Sequence, residues 1–293
     1  MTRYLSPIGA GPLYLTAQPH DARWSGGLTG TWALNPNVNL YARVANGFRA
    51  PSVQGRVLFS DSISQARSET ITSCEPGVKT TGMDNHVRFN ADVYTFNMHN
   101  QQLTAVGGNI NVTRLINARK TEGYGAEFDL AAYLTPNFVL TAGGSYNHTK
   151  LKDQTLAIAV CGSGCTVLNP LDANGNALLD GNSLPNAPQW VGTLTARYGI
   201  PYRDSGEFCL HTDWNYRSEV NFFLYDSAEF KGKPLLEGGL RLGYNWDYAR
   251  REIALYGRNL TNKRAITGAI DFNNRTAFVN DPRVVGVEFR VEP

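Results

Sequence analysis

The sequence predicts an all-β fold, an antiparallel transmembrane β-barrel of about eleven strands. The first sign is alternation: between Trp190 and Tyr216, two adjoining stretches place apolar residues on one face and polar residues on the other. The second is spacing, because an aromatic residue stands at each end of both apolar faces, eight positions apart. Eight residues at a tilt near 40° cover about 21 Å of height, close to the roughly 25 Å apolar band of an outer-membrane barrel. The same spacing separates Trp24 from Trp32 and Phe138 from Tyr146.

A soluble antiparallel sheet with one wet face would alternate in the same way. The recurrence of one aromatic spacing in four strands favours the membrane alternative. The order of connections is the third sign, since short periplasmic turns alternate with long extracellular loops in outer-membrane barrels. This parity places the end of the chain on the periplasmic side. The predicted short turns are 35–37, 82–85, 135–137, 201–206 and 247–251.

The N-terminal part of the chain is predicted as an irregular entry segment at 1–22, which contains three prolines, and the barrel region follows at 23–293. The turn at 35–37 is Asn-Pro-Asn, where proline fixes φ and asparagine tolerates turn geometry. In the second strand, Val38 and Leu40 alternate with Asn39 and Tyr41. The first four strands are predicted at 23–34, 38–46, 68–81 and 86–100, with a long loop at 47–67.

The middle of the chain supplies four more predicted strands. The fifth, which ends at residue 134, places Tyr124 and Phe128 on one face and Glu127 and Asp129 on the other. The sixth begins after the turn at 135–137, and the seventh and eighth flank the turn at 201–206. Loops are predicted at 101–111 and about 150–188.

The last three strands are predicted at 236–246, 252–258 and 283–291. In the ninth, Leu240, Leu242 and Trp246 share the outward face, whereas Arg241 lies on the inward face. The ninth and tenth are joined by the short turn at 247–251.

Composition limits the classes of function. The 293 residues carry a formal net charge of +2, which gives no argument for nucleic acid as a partner. A mean hydropathy of −0.30 looks soluble, but alternating barrel strands average to such values. The longest wholly apolar stretches are short, such as residues 156–160, so no transmembrane helix is predicted. Residues 1–12 lack a basic segment followed by an apolar one, so no secretory signal is predicted there.

The four cysteines favour a disulfide over a metal site. Cys161 and Cys165 flank a Gly-Ser-Gly stretch in a long polar loop, where glycine flexibility allows the sulfurs to meet. The alternative, a zinc site, would need two more ligands, and this loop contains no His or further Cys. Cys74 and Cys209 have no predicted pairing.

No metal, cofactor or catalytic group is predicted. The loop 172–180 partly resembles a calcium loop, but Ala177 and Ser183 stand where the EF-hand pattern needs Gly and Glu. A plain solvated loop is the favoured alternative. No Ser-His-Asp or Cys-His set has interpretable spacing, so we do not expect an enzyme.

Several short motifs follow one another in the order typical of a known family. Asn-Gly-Phe-Arg-Ala-Pro-Ser at 46–52 resembles the "GFRAPS" segment of TonB-dependent receptors. The segment from Ser68 to Lys79 resembles the family's "SE…E.GVK" strand. Further matches are Asn-Ala-Pro-Gln-Trp at 186–190, Tyr-Gly-Arg-Asn-Leu-Thr-Asn-Lys at 256–263 and Pro-Arg-Val-Val-Gly-Val at 282–287. Together the matches run from about residue 23 to residue 290.

The resemblance implies a 22-stranded barrel closed by an N-terminal plug, with import of scarce ligands driven by energy relayed through TonB. Eleven strands are half of 22, so we expect this chain to be the C-terminal half of such a barrel. No plug-like segment or TonB box precedes the first predicted strand. The chain also ends Phe-Arg-Val-Glu-Pro, whereas family members usually end on an aromatic residue.

We therefore expect an outer-membrane receptor of a Gram-negative bacterium that takes up a siderophore, vitamin, sugar or peptide. Its expected partners are membrane lipid, the plug with the first half of the barrel, and the TonB complex. Two alternatives stay open: a passive porin-like channel and a soluble carbohydrate-binding β protein. The residues expected to face the lumen or the plug are Arg43, Glu127, Asp129, Asp213 and Arg241.

Overall fold

A computed structural model shows one eleven-stranded antiparallel sheet in which each strand pairs with its neighbours along the chain. The structure describes residues 2–5, 12–54, 63–108, 112–162, 164–271 and 274–292. The strands are β1 (Gly26–Asn35), β2 (Val38–Arg49), β3 (Glu69–Gly82), β4 (Val87–Gly107), β5 (Val112–Thr135), β6 (Phe138–Lys152), β7 (Trp190–Tyr202), β8 (Gly206–Arg217), β9 (Leu235–Trp246), β10 (Arg251–Arg258) and β11 (Val284–Val291). The predicted all-β class and the number of strands are confirmed.

The sheet is a simple meander, in which each strand lies beside the next strand of the chain. Among the connections that the structure describes throughout, five are tight turns, which can join only adjacent antiparallel strands. The turn after β3 uses left-handed backbone at Met83, Asp84 and Asn85, with φ between 50° and 69°. In the part of the chain that the structure describes, β1 and β11 are the two edges of the sheet and do not pair with each other.

Side-chain alternation divides the sheet into two faces, which we call the apolar face and the polar face. Register pairs Leu194 with Trp214 on the apolar face and Thr195 with Asp213 on the polar face. Large side chains on the apolar face remain exposed, including Leu242 (49%) and Val287 (70%). A surface this apolar requires a hydrocarbon environment or a partner. Over the described residues, no helix is long and apolar enough to cross a membrane.

The loop predicted at 101–111 is wrong over most of its length. β4 runs 21 residues to Gly107, and β5 starts at Val112 and runs 24 residues. Polar residues in this extension suggested exposure, but Gln101 and Gln102 are only 8% and 7% exposed. Gln102 donates to two carbonyl groups of the segment before β3, and the loop after β6 packs against Leu103 on the other face, so these polar residues are buried within a strand.

Part of the predicted entry segment at 1–22 forms paired strands in the structure. Thr2–Leu5 pairs with Pro12–Leu15 as a separate two-stranded hairpin. Pro12 occupies the first position of its strand, where a missing N–H is tolerated.

The buried core lies where the long connections pack against the ends of β4, β5 and β6. Four short strand pairs lie in these connections: Ser52–Gln54 with Ser64–Ala66, Ala157–Ile158 with Ala177–Leu178, Val220–Asn221 with Lys231–Gly232, and Ile266–Ile270 with Thr276–Val279. The core joins residues of the β4–β5 extension to three long loops. Its members include Leu103, Ala118, Leu151, Leu179, Tyr225 and Phe230.

Candidate functional site

The polar face carries all five residues predicted to face the lumen or the plug. Arg43 on β2 pairs with Glu75, and Glu127 and Asp129 lie two residues apart on β5. Asp213 on β8 and Arg241 on β9 complete the set. Because successive side chains of a strand point to opposite faces, these five side chains all project from the polar face, which we also call the wall. Whether that wall faces a plug stays a prediction.

The wall on β8 to β11 is cross-linked by ion pairs between strands. Arg241 contacts Glu252 on β10 and lies 3.5 Å from Glu288 on β11. Glu252 Oε2 also lies 3.5 Å from Arg290 Nη2. Because Glu252 is only 8% exposed, its charge needs these cationic neighbours. The network makes this wall electrically balanced.

A second pair extends the network toward the long loops. Arg258 Nη1 lies 3.3 Å from both carboxylate oxygens of Asp213. His211 Nε2 lies 4.0 Å from the same carboxylate. A cavity of about 640 Å³ lies beside this pair, and its lining includes Asp213, Arg258 and Asn280. Its charged and amide groups can bind a polar molecule or a polar segment of protein.

The wall on β3 to β5 is acidic and lacks cross-strand ion pairs among its described residues. Glu75, Asp92, Glu127 and Asp129 all point to the polar face. Asp129 accepts two hydrogen bonds from the Asn90 amide at 3.1 and 3.0 Å, and Glu75 accepts one from the Tyr41 hydroxyl at 2.9 Å. These carboxylates remain available to water or to a cationic partner.

Cys161 and Cys165 form a disulfide in the structure. The long loop that contains it contacts two other long loops. The Gly162 N–H donates to Asp271 Oδ2 at 3.0 Å, and the Thr166 N–H donates to Glu229 Oε2 at 2.9 Å. The buried Tyr225 hydroxyl lies 3.9 Å from Cys165 Sγ. Burial raises the pKa of Tyr225 above its ordinary value, so this hydroxyl stays protonated.

The other two cysteines are free thiols and lie on different faces. Cys74 on β3 pairs with Val44 on the apolar face, whereas Cys209 on β8 pairs with Gly199 on the polar face.

The loop that resembles a calcium site is closed by its own backbone. Asp172 Oδ1 accepts the N–H groups of Asn174 and Asn176, each at 2.8 Å. These hydrogen bonds lower the pKa of Asp172. Among the described residues, no cluster of three or more His, Cys, Asp and Glu side chains is arranged to hold a metal ion.

Several charged residues of the polar face were not predicted as site residues from the sequence. The ion-pair partners Glu252, Glu288 and Arg290 share the polar parity of Arg241, which was a readable signal. Their pairing was not readable, because it depends on the register between strands. The loop contacts of Tyr225 and Asp271 had no sequence signal at all.

Comparison with known proteins identifies the family. The model of the TonB-dependent receptor-like β-barrel family matches residues 9–260. No curated protein sequence matches the chain significantly. Among solved structures, the ferric yersiniabactin uptake receptor FyuA from Yersinia pestis is 18% identical with a TM-score of 0.69, over 91% of this chain and 37% of that receptor.

Two other receptors are similar in fold. The siderophore receptor PiuA from Acinetobacter baumannii is 17% identical with a TM-score of 0.66, over 90% of this chain and 35% of that one. The ferripyoverdine receptor of the outer membrane of Pseudomonas aeruginosa is 14% identical with a TM-score of 0.60, over 92% and 33%. The chain thus spans about a third of the length of these receptors. The family match covers most of the chain, and the protein belongs to the TonB-dependent receptor-like β-barrel family.

Proposed function

We propose that this chain forms part of a Gram-negative outer-membrane receptor that takes up a scarce ligand with energy supplied through TonB. The observation that carries the proposal is the two-faced sheet of a TonB-dependent receptor barrel, exposed and apolar on one face and charged on the other. The apolar face suits membrane lipid. The charged face suits a hydrated lumen that holds a plug.

The partners follow from the same geometry. Both sheet edges carry unpaired main-chain groups in the described structure, and further barrel strands are the partners that would satisfy them. The acidic and ion-paired walls are polar surfaces against which a plug can pack. The TonB complex would act through that plug. This family consists of receptors and transporters, and we propose no catalytic role.

A ferric siderophore is the first ligand class to test, because the structural neighbour PiuA is a siderophore receptor by name and FyuA a ferric yersiniabactin uptake receptor. Vitamins, sugars and peptides are the other classes. The test compares accumulation of radiolabelled ferric siderophores in cells that carry the receptor, with and without TonB. Accumulation only when TonB is present supports the proposal, and each ligand class can be exchanged in turn.

Equal uptake with and without TonB would support the rival function, a passive porin-like channel. The remaining rival, a soluble carbohydrate-binding protein, is distinguished by partitioning. A membrane barrel enters the detergent phase, whereas a soluble protein stays in buffer. The exposed apolar face predicts the detergent phase.

A further inference from the structure

Two cavities of opposite character lie next to each other along β6. The first has a volume of about 1110 Å³ and crosses the sheet from Pro76 on β3 to Gly192 on β7. Small side chains at Ala91 and Ala126 form part of its lining, and Phe128 borders it. Asp92 and Glu127 of the polar face also line it, but most of its lining residues belong to the apolar face, so the cavity opens toward hydrocarbon.

The second cavity has a volume of about 300 Å³ and a mainly polar lining. Its lining residues include His148, Gln189, Ser218 and Glu219. None of the described residues that line it is Lys or Arg, and the neighbouring Lys231 ammonium lies 3.4 Å from Glu219 Oε1, so the two charges offset each other. A phosphate group is normally bound by such cations, whereas amides and hydroxyls suit the donors and acceptors of an uncharged sugar.

An aromatic pair marks the border between the two cavities. The rings of Tyr146 and Trp190 lie 4.7 Å apart between centroids, and both line the apolar cavity. Asn147 and Gln189, which adjoin Tyr146 and Trp190 in the chain, line the polar cavity. Gln189 Nε2 donates to Tyr146 Oη at 3.3 Å, which ties the two linings together. Tyr and Trp are enriched where hydrocarbon meets the polar interface.

This arrangement matches the shape of an amphiphile. Ligand cavities typically measure about 300–1,000 Å³, so the pair offers room for both a chain and a head group. We propose that the two cavities form a binding site for one membrane glycolipid. Its hydrocarbon chain lies in the apolar cavity, and its uncharged sugar lies in the polar cavity beside Gln189 and Ser218. The site depends on insertion in the membrane but not on uptake of any ligand.

The test uses the complete receptor that contains this chain, inserted in the membrane and then transferred into a sugar-free amphipathic polymer. Native mass spectrometry then counts bound molecules during titration with dodecyl maltoside or dodecylphosphocholine, which have equal chains and different heads. We expect one tightly retained maltoside, with phosphocholine binding about tenfold weaker. Equal retention of the two probes would overturn the proposal and leave ordinary contact with surrounding lipid.

Paired variants test the position of the site. A Cβ at Gly192 would meet no atom closer than 4.0 Å, so Gly192→Leu can fill the apolar cavity without disturbing the backbone. It should lower maltoside affinity by about tenfold. Ala196→Leu, on the same face of β7 but outside the lining, is the control and should leave affinity unchanged. Equal affinities in both variants would contradict the assignment, and the comparison of head groups in the unaltered protein stands if Gly192→Leu does not fold.

Discussion

Neighbouring residues in one strand of this sheet meet different surroundings, as Leu194 and Thr195 on β7 show. Leu194 lies on the apolar face and is 42% exposed. The Thr195 hydroxyl lies 2.6 Å from the Thr141 hydroxyl on the polar face. Residue-level effects should therefore depend on the face more than on the strand.

Leu194→Arg should destabilise the inserted barrel by roughly 2–4 kcal/mol, because arginine near the midplane of a bilayer is costly. Thr195→Arg should cost about 1 kcal/mol, the value of one hydrogen bond, since its new charge meets water. Denaturant unfolding in lipid vesicles measures both. Equal destabilisation would show that the two faces are assigned wrongly.

A second residue-level prediction concerns Asp153, in the loop after β6. Burial raises the pKa of this carboxyl, but hydrogen bonds from the Arg119 N–H and from Thr155 outweigh burial and hold the pKa below its usual value. Such a carboxyl stabilises the fold above the unfolded pKa of about 3.9, and the stabilisation is lost as pH falls through the lower folded value.

We expect exchange protection of the Arg119 amide, which donates to Asp153 Oδ2 at 2.9 Å, to be constant near neutral pH and to fall in that acidic range. Asp153→Asn should weaken protection at neutral pH and remove the acidic step. Asp204→Asn, in an exposed short turn, is the matched control. An unchanged pH profile in Asp153→Asn would contradict the assignment.

Among elements, the long loops differ from the strands in what holds them together. Each strand of the sheet is fixed by main-chain pairing with its neighbours, whereas the loops share a buried core with the β4–β5 extension. The disulfide loop contacts two other loops through Asp271 and Glu229. Local changes in this loop should thus affect loop packing but leave the sheet intact.

Reduction of the Cys161–Cys165 bond tests this prediction. The bond closes a small loop, with a sequence separation of only 4. A small closed loop contributes little to global stability, so strand content by circular dichroism should survive reduction. Mass analysis without reductant should find the peptide lighter by two hydrogen atoms than its reduced form. Two free thiols in protein from an oxidising compartment would contradict the disulfide. The free thiol Cys209 serves as the internal control.

At the scale of the whole molecule, an odd number of strands decides the behaviour of the sheet. The first and last of eleven antiparallel strands run in the same direction, and in the described structure they do not pair. Closure through a parallel pair would depart from the even-numbered barrels of bacterial single-chain proteins. In hydrocarbon, each unpaired backbone group costs several kcal/mol.

Residues 1–293 expressed alone should therefore aggregate or remain an incomplete sheet, and should support no TonB-driven uptake. Gel mobility before and after heating, together with ligand accumulation, measures this. A full-length family member in the same cells is the control. Energy-dependent accumulation by cells that express only this chain would refute the proposed need for further strands.

The sequence by itself determined the number of strands in the sheet and their two faces, but not how far β4 and β5 extend. Alternation at Trp190 to Tyr216 and the turn residues at 35–37 act over a few neighbouring residues, so they can be read locally. Only the tertiary structure decided the register of the Arg241–Glu252 pair and the burial of Gln101 and Tyr225. These features depend on segments far apart in the chain, such as Gly162 and Asp271, 109 positions apart. Burial of this kind leaves no repeating pattern in the nearby sequence, because the segment that covers each buried residue comes from a distant part of the chain.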